Sequence, residues 1–200
     1  MEKEIRNLGN IQIRSIDGEP SRHIEGYALM FDKQSEYIGF YEVIERGALT
    51  QEIVDSCDVF ATFNHDMNKI FARSNMGQGS LVLSIDEIGL KYEFDAPKTS
   101  LGDELIEYLK RGDINKSSFA FYINPEDEDS ETWEVKDGVY YRTIHKIASI
   151  CDVSPVWQPA YSATSVSKRS LEKRDMLEAK AMDLINKDLD VRILEIEDLM

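Results

Sequence analysis

The sequence predicts a mainly β protein of the α+β class with a helical tail, and three observations predict it. Short β-rich runs interrupted by Gly, Asp or Pro fill most of the first 160 residues. One strong helix pattern interrupts them at "TSLGDELIEYLKRGD". From about Ser167 the chain becomes rich in Glu, Lys, Leu and Met and contains no Gly or Pro. We therefore expect one globular domain over residues 1–166 and a charged helical tail over residues 167–200.

The first elements are predicted as antiparallel strands at "IQIRSID", "RHIEGYALMF" and "IGFYEVI". A short helix is expected in "ERGALTQEIVDSC", followed by a strand at "DVFATFNH". The segment "SLVLSIDEIGLKYEFDAP" predicts a hairpin whose turn is "DEIG".

The central helix is predicted from its end signals and its apolar spacing. Ser100 is the expected N-cap, with Asp103 three residues later, and Gly112 follows the last turn. Leucines at positions 101, 105 and 109 share one face. The helix leads directly into the strand "SSFAFYIN".

The remaining elements follow from composition. The acidic segment "NPEDEDSETWEVKDG" is expected to be a solvent-exposed loop that leads into a hairpin. The segment "VYYRTIHKIASICDVSPVW" predicts one or two central strands. The tail carries an apolar stripe that needs a partner surface, formed by Leu171, Met182, Leu184, Ile185, Leu189 and Ile193.

Overall composition excludes several classes of function. The chain has 200 residues, 42% of them hydrophobic, and a net charge of −15 from 38 acidic and 23 basic residues. This charge disfavours nucleic acid as a partner, because there is no excess of cations to displace counterions. The charged start "MEKEIRNLGN" and the lack of a long apolar run predict a soluble protein that is neither exported nor inserted in a membrane. Cys57 and Cys151 form no CxxC pair, so we expect small buried hydrophobes in a reducing compartment.

Two adjacent serines begin the strand after the central helix. With a period of two, Ser117 shares the core face with Phe119, whereas Ser118 lies on the other face beside the small Ala120. Space above Ala120 would let a substrate approach Ser118. The alternative is a pair of turn serines that bond nearby backbone.

A serine nucleophile needs a base, and the chain has three histidines, His23, His65 and His145. His23 lies in the charged segment "SRHIEG", which we interpret as surface. His65 ends a strand at a polar turn, where a rigid element presents a side chain to a cleft. The alternative for His65 is a structural bond to its neighbour Asp66.

The ordered segments "YEVIERGAL", "FNHD", "GLKYEFD", "RGDINKSSFAF", "ICDVSPV" and "QPAYSAT" carry a resemblance to a known family. Over roughly residues 10–166 the chain resembles the prohead proteases of tailed phages, which are similar in fold to the herpesvirus assemblins. The resemblance implies an antiparallel β-barrel flanked by helices. It also implies a serine endopeptidase that needs no metal and no other cofactor.

The resemblance assigns roles to individual residues. The histidine of the family's "NHD" segment falls on His65 and its serine on Ser118, although Ala120 replaces the usual glycine of Ser-Phe-Gly-Phe. Its acidic residue before Val-Ser falls on Asp152, the expected third catalytic residue, whereas the assemblins use a second histidine, for which His145 is the candidate. The family's Leu-Gly-Arg segment appears here as "FAR", so Arg73 matches its arginine, and we expect Arg73 to stabilise the oxyanion together with backbone N–H groups. Asp66 is a poorer third member, because adjacent strand residues point to opposite faces.

The implied biology concerns the immature phage capsid in the host cytoplasm. The expected partners are the major capsid protein with its scaffold segment and further copies of the chain inside the prohead. The tail is expected to dock on the scaffold or to be removed by self-cleavage. The alternative function is a non-catalytic scaffold or capsid-interaction module, in which the serine and histidine are structural.

Overall fold

In a computed structural model, the structure describes residues 3–16 and 19–157, together with positions 176, 179, 182 and 183. The described chain is mainly β with few helices, so the predicted α+β class is confirmed. The twelve strands are β1 (Lys3–Ile16), β2 (Glu19–Met30), β3 (Tyr41–Ile44), β4 (Asp58–Phe63), β5 (Asp66–Asn75), β6 (Gln78–Gly79), β7 (Val82–Ile85), β8 (Gly89–Asp95), β9 (Lys116–Tyr122), β10 (Glu131–Lys136), β11 (Val139–Ile144) and β12 (Ser149–Val156).

Nine strands form one sheet that curls into a nearly closed barrel. Its order is β6-β5-β4-β12-β9-β1-β2-β8-β7. The two edge strands, β6 and β7, are consecutive in the chain, so the connection between them draws the two edges of the sheet together. Across this seam the rings of Phe71 on β5 and Phe94 on β8 stack at 5.9 Å. Away from this seam, β12 and β9 lie side by side, flanked by β4 and β1.

A second sheet has the order β10-β11-β3. The predicted hairpin after the acidic loop is β10–β11, which turns at Asp137 and Gly138, both with positive φ. The expectation of antiparallel pairing throughout is wrong at two places. β3 pairs with β11 in parallel, and β4 pairs with β12 in parallel. Parallel partners need no shared turn, so their local sequence carries no sign of the pairing.

Within residues 19–157 the structure describes the α-helices α1 (Gln51–Asp55) and α2 (Ser100–Arg111). The N-cap of α2 is Thr99, one residue before the predicted Ser100, and its hydroxyl accepts a bond from the backbone of Gly102 at 3.3 Å. Gly112 ends the helix in the left-handed conformation, with φ of 75°, as its position predicts. The predicted leucine stripe packs on the core, with Leu105 fully buried. The hairpin predicted at "DEIG" is β7–β8.

Four tail positions are described, Met176, Ala179, Met182 and Asp183, and each is helical and exposed. Apart from Met182, the predicted apolar stripe lies outside the described residues. The boundary at residue 166 stays a prediction.

Candidate active site

The turn between β4 and β5 presents His65. β4 ends at Phe63 and β5 begins at Asp66, which is its cross-strand partner, so Asn64 and His65 alone form the loop. Both have positive φ, 54° and 62°. Two-residue hairpin loops of this kind favour Asn first and Gly second. A histidine at the second position pays a conformational penalty, and such strain clusters at functional sites.

The structure brings His65, Ser118 and Asp152 together. Nε2 of His65 lies 2.6 Å from Oγ of Ser118, and Nδ1 lies 2.6 Å from Oδ1 of Asp152. The side chain of Asp152 is fully buried, and that of His65 is 10% exposed. Asp152 accepts a hydrogen bond from Nδ1–H of His65, which leaves the lone pair of Nε2 facing the serine. The imidazole can therefore accept the serine proton.

The sheet register explains how the three residues meet. β12 lies between β9 and β4, with Asp152 opposite both Ala120 and Phe60. Ser118 is opposite Ser154, which places it on the same face as Asp152, two residues along. His65 follows the end of β4, and its imidazole lies over this face, between Asp152 and Ser118.

The two serines of β9 point to opposite faces, as the alternation predicts. The Ser117 hydroxyl donates to the phenol of Tyr92 at 2.9 Å inside the core. The Ser118 hydroxyl bonds His65, with the carbonyl of Arg6 as a second acceptor at 3.0 Å. One proton cannot serve both acceptors fully, so the Arg6 carbonyl competes with His65 for it.

The expected open space above Ala120 is absent. Ser118 and Ala120 are both fully buried. The Lys3 ammonium of β1 reaches Oδ2 of Asp152 at 2.8 Å, and these residues belong to the strands on either side of β9. The ion pair thus occupies the face that the small alanine leaves open. Because the hydroxyl is covered, a substrate has to displace some of its surroundings to reach it.

Ser154 is a residue of the site that the sequence reasoning missed. Its hydroxyl donates to Oδ1 of Asp152 at 3.0 Å and accepts from the backbone N–H of His65 at 3.2 Å. Since its one proton goes to the carboxylate, the Thr62 hydroxyl at 2.7 Å must be a donor to it. Ser154 is the serine of the "CDVSPV" segment, and only the three-dimensional contacts reveal its role.

Asp152 stays ionised in spite of its burial. Burial by itself raises the pKa of this carboxyl, but the bonds from His65 and Lys3 outweigh it and hold the pKa below its ordinary value. The same ion pair raises the pKa of Lys3 against the opposing effect of burial. A charged carboxylate is what an imidazolium partner needs.

A family model described as caudovirus prohead serine protease matches residues 9–178. The chain belongs to the caudovirus prohead serine protease family. Among solved structures, it is similar to the bacteriophage T4 capsid assembly protease gp21, at 14% identity and a TM-score of 0.47, over 79% of this chain and 98% of that one. No curated protein sequence matches it significantly.

The other two histidines of this prohead protease have different partners. His145 places Nδ1 2.7 Å from a carboxylate oxygen of Glu45 and Nε2 2.9 Å from the hydroxyl of Thr132. Both ring nitrogens are thus engaged outside the His65 site. His23 places Nδ1 3.0 Å from Asp95 and is partly buried rather than fully at the surface.

Asp66 folds back on its own strand. Its carboxylate accepts bonds from the backbone and the side-chain amide of Asn68. These bonds lower the pKa of Asp66, so this carboxylate serves the turn.

Arg73 lies on the same face as Asp152 but two strands away. Cross-strand pairs join Asp152 to Phe60 and Phe60 to Arg73. With strands about 4.8 Å apart, the backbone of Arg73 is about 10 Å from that of Asp152. The guanidinium forms two 2.7 Å bonds to Asp58 and stacks 4.9 Å from the ring centre of Phe60. Its predicted oxyanion role would require it to leave these partners.

A buried charge cluster links β1 to the second sheet, and it consists of Arg6, Arg142, Glu4, Glu42 and Glu131. Glu42 accepts from Arg6 at 2.5 and 2.8 Å and from Arg142 at 2.8 Å. Arg142 also binds Glu4 at 2.6 and 2.9 Å and Glu131 at 2.5 Å. The carbonyl of Arg6 faces Ser118, so this cluster anchors the part of β1 that contacts the serine.

Within the described part of the chain, one group of residues has metal-binding potential, namely His23, Glu25 and Glu93. The Lys91 ammonium bonds Glu93 and lies 3.3 Å from Glu25, so a positive charge already occupies the group. No helix in the described ranges is long and apolar enough to cross a membrane. Both cysteines are free thiols, and burial raises the pKa of Cys151 to about 11.

Proposed function

We propose that this prohead protease cleaves scaffold or coat protein inside the immature capsid, in the host cytoplasm, with Ser118, His65 and Asp152 as its catalytic residues. The observation that supports the assignment is the continuous chain of bonds from Asp152 through His65 to Ser118, with 2.6 Å at each step. Nucleophile, base and orienting carboxylate in this order are the working parts of a serine protease.

In the proposed reaction, Ser118 Oγ attacks the scissile carbonyl while His65 Nε2 takes its proton. The positive imidazole is stabilised by Asp152, whose carboxylate stays charged. His65 then gives the proton to the leaving amine, and an acyl group remains on Ser118. Water attacks this ester, with His65 again as the base, and restores the free serine.

Activity in this scheme falls at acid pH, because a protonated imidazole cannot accept the serine proton.

Backbone N–H groups, with Arg73, are the proposed oxyanion donors. Removing such a donor typically lowers kcat by 100-fold or more. Arg73→Ala therefore lowers kcat if the guanidinium acts there. Asp58→Ala is the matched control, because it removes the same ion pair but leaves the arginine.

The substrate proposal rests on the family and on its biology. We infer that the coat protein and its scaffold segment are the partners and that several copies of the chain associate inside the prohead.

The tail is proposed to direct the protease to the scaffold and to be removed by self-cleavage. Its helical positions Met176 and Met182 are 63% and 61% exposed, which suits a segment available to a partner. Intact-mass measurement of the purified full chain over time tests this proposal. A truncated product near residue 167 in wild type, but not in Ser118→Ala, is expected.

The decisive experiment is labelling with a serine-directed phosphonate, followed by peptide mapping. Label on Ser118 in wild type and in Ser117→Ala, and its loss in His65→Ala, would support the protease. Co-expression with the coat protein and mass spectrometry of the products then identifies the cleavage sites. A folded chain that neither labels nor cleaves under assembling conditions would instead favour the non-catalytic capsid-interaction module.

A further inference from the structure

Lys3 is the group that completes the coordination of the buried carboxylate. It lies at the start of β1, opposite Tyr122 of β9, while Asp152 lies opposite Ala120 on the other side of β9. Tyr122 and Ala120 are two residues apart and share a face, so the Lys3 side chain can cross the strand. The ammonium meets Oδ2 of Asp152 at 2.8 Å, across 149 positions of sequence.

Every oxygen of this carboxylate has a defined donor. Oδ1 receives the Nδ1–H of His65 and the hydroxyl of Ser154. Oδ2 receives Lys3, which is 34% exposed, whereas Asp152 has no exposed surface. An exposed ion pair contributes little, but a cation bound to a fully buried carboxylate compensates a large desolvation cost.

We propose that Lys3 is a positioning residue of the catalytic network, which aims the Asp152 carboxylate at His65 and whose positive charge sets the pH range of activity. This inference rests on the proposed function. Lys3 touches neither the substrate nor Ser118 in this scheme; it acts through Asp152.

Among the residues that the structure describes, few other ionisable groups surround the network. Besides Lys3, the groups that face it are Tyr122 on β9 and Cys151 on β12, and the pKa of Cys151 is raised to about 11. On the His65 turn, Asp66 is bound to Asn68, with Lys69 nearby. Lys3 is thus the cation in direct contact with the carboxylate.

The sign of the effect follows from charge. Lys3 contributes a positive charge within about 7.5 Å of Nδ1 of His65, the upper limit that the two bonds and the width of the carboxylate allow. A positive charge at this distance disfavours the protonated imidazole. Its removal therefore moves the acid limb of the pH–rate profile upward, by roughly 0.5 to 1 pH unit. Without Lys3, the Asp152 carboxylate is less constrained, so kcat should also fall by about 10-fold.

The test is a set of kcat profiles from pH 5 to 9 for wild type, Lys3→Met and Lys3→Arg. Lys3→Met should show the upward shift, and Lys3→Arg should restore most of the rate and the wild-type midpoint. Lys98→Met, at an exposed position before α2, removes the same charge elsewhere and should leave the profile unchanged. A Lys3→Met enzyme with a uniformly lower rate and an unshifted midpoint would overturn the proposal.

A second measurement needs no catalysis. In Ser118→Ala protein, histidine NMR titrations follow the imidazole of His65 directly, and adding Lys3→Met should shift its titration midpoint upward. Thermal melts identify any variant that fails to fold, in which case Lys3→Gln is used. If wild type cleaves nothing, the proposed function fails; if wild type cleaves but neither midpoint moves, only the role of Lys3 fails.

Discussion

The same chemical change at two adjacent positions of β9 should have opposite consequences. Ser117→Ala and Ser118→Ala each remove one hydroxyl from a fully buried residue. In the first case the lost partner is the phenol of Tyr92, and in the second it is the imidazole of His65. We expect Ser117→Ala to lose stability and keep activity, and Ser118→Ala to lose activity and keep most of its stability.

The stability cost follows from the isolation of Tyr92. This phenol is fully buried, and the burial raises its pKa. When the hydrogen bond from Ser117 is lost, water therefore cannot replace it. An unsatisfied buried polar group costs about 1–3 kcal/mol. For a protein of this size that corresponds to a fall in Tm of about 2–4 °C per kcal/mol.

Removing both partners provides an internal check. In Ser117→Ala/Tyr92→Phe no polar atom of the pair remains, and such double removals are nearly neutral. The double variant should therefore be about as stable as Tyr92→Phe alone, and a double-mutant cycle measures the coupling.

The assays are urea unfolding for stability and peptide cleavage for activity. Loss of the nucleophile should reduce kcat by about a million-fold. A folded Ser117→Ala protein without activity, or an active Ser118→Ala protein, would show that the strand faces are assigned incorrectly.

Three further predictions concern two residues of the site and one of the buried charge cluster. Asp152→Asn should lower kcat by about 10⁴-fold and move the acid limb to lower pH, because the neutral amide no longer stabilises the protonated imidazole; an unchanged pH–rate profile would contradict its role. Ser154→Ala should lower kcat by about 10-fold with little change in KM, since it releases both the carboxylate and the His65 backbone; a change confined to KM in steady-state kinetics would argue against this. The pKa of Glu4 is lowered from 4.5 to about 2, with burial opposed by the bonds from Arg142 and Arg6. The ionised Glu4 therefore contributes roughly 3 kcal/mol to the stability of the fold above pH 4.5, and this contribution is lost as the pH falls toward 2. In Glu4→Gln, acid unfolding should no longer show this pH dependence.

Local patterns predicted the elements that local physics controls. The face alternation of β9, the end of α2 at Gly112 and the β7–β8 hairpin depend on residues within a few positions of one another. The shift of the helix cap from Ser100 to Thr99 is a local matter as well, because either hydroxyl can accept the first free N–H groups.

The sequence pattern does not predict β5, and the reason is physical. Its first half is mostly exposed and its second half largely buried, so it shows no steady alternation along its length. The strand is held by pairing with β4 rather than by its own pattern.

The sequence by itself determined where the serine and the histidine stand, each at the end or start of a strand, and the family resemblance added Asp152 to them. Only the tertiary structure decided that these residues meet, and that Lys3, Ser154 and the Arg6 carbonyl join them. The His65–Ser118 and His65–Asp152 contacts span 53 and 87 positions. They depend on the parallel pairing of β12 with β4 and on the place of β9 between β12 and β1. Strand order minimises the free energy of the whole barrel, and no short segment encodes it.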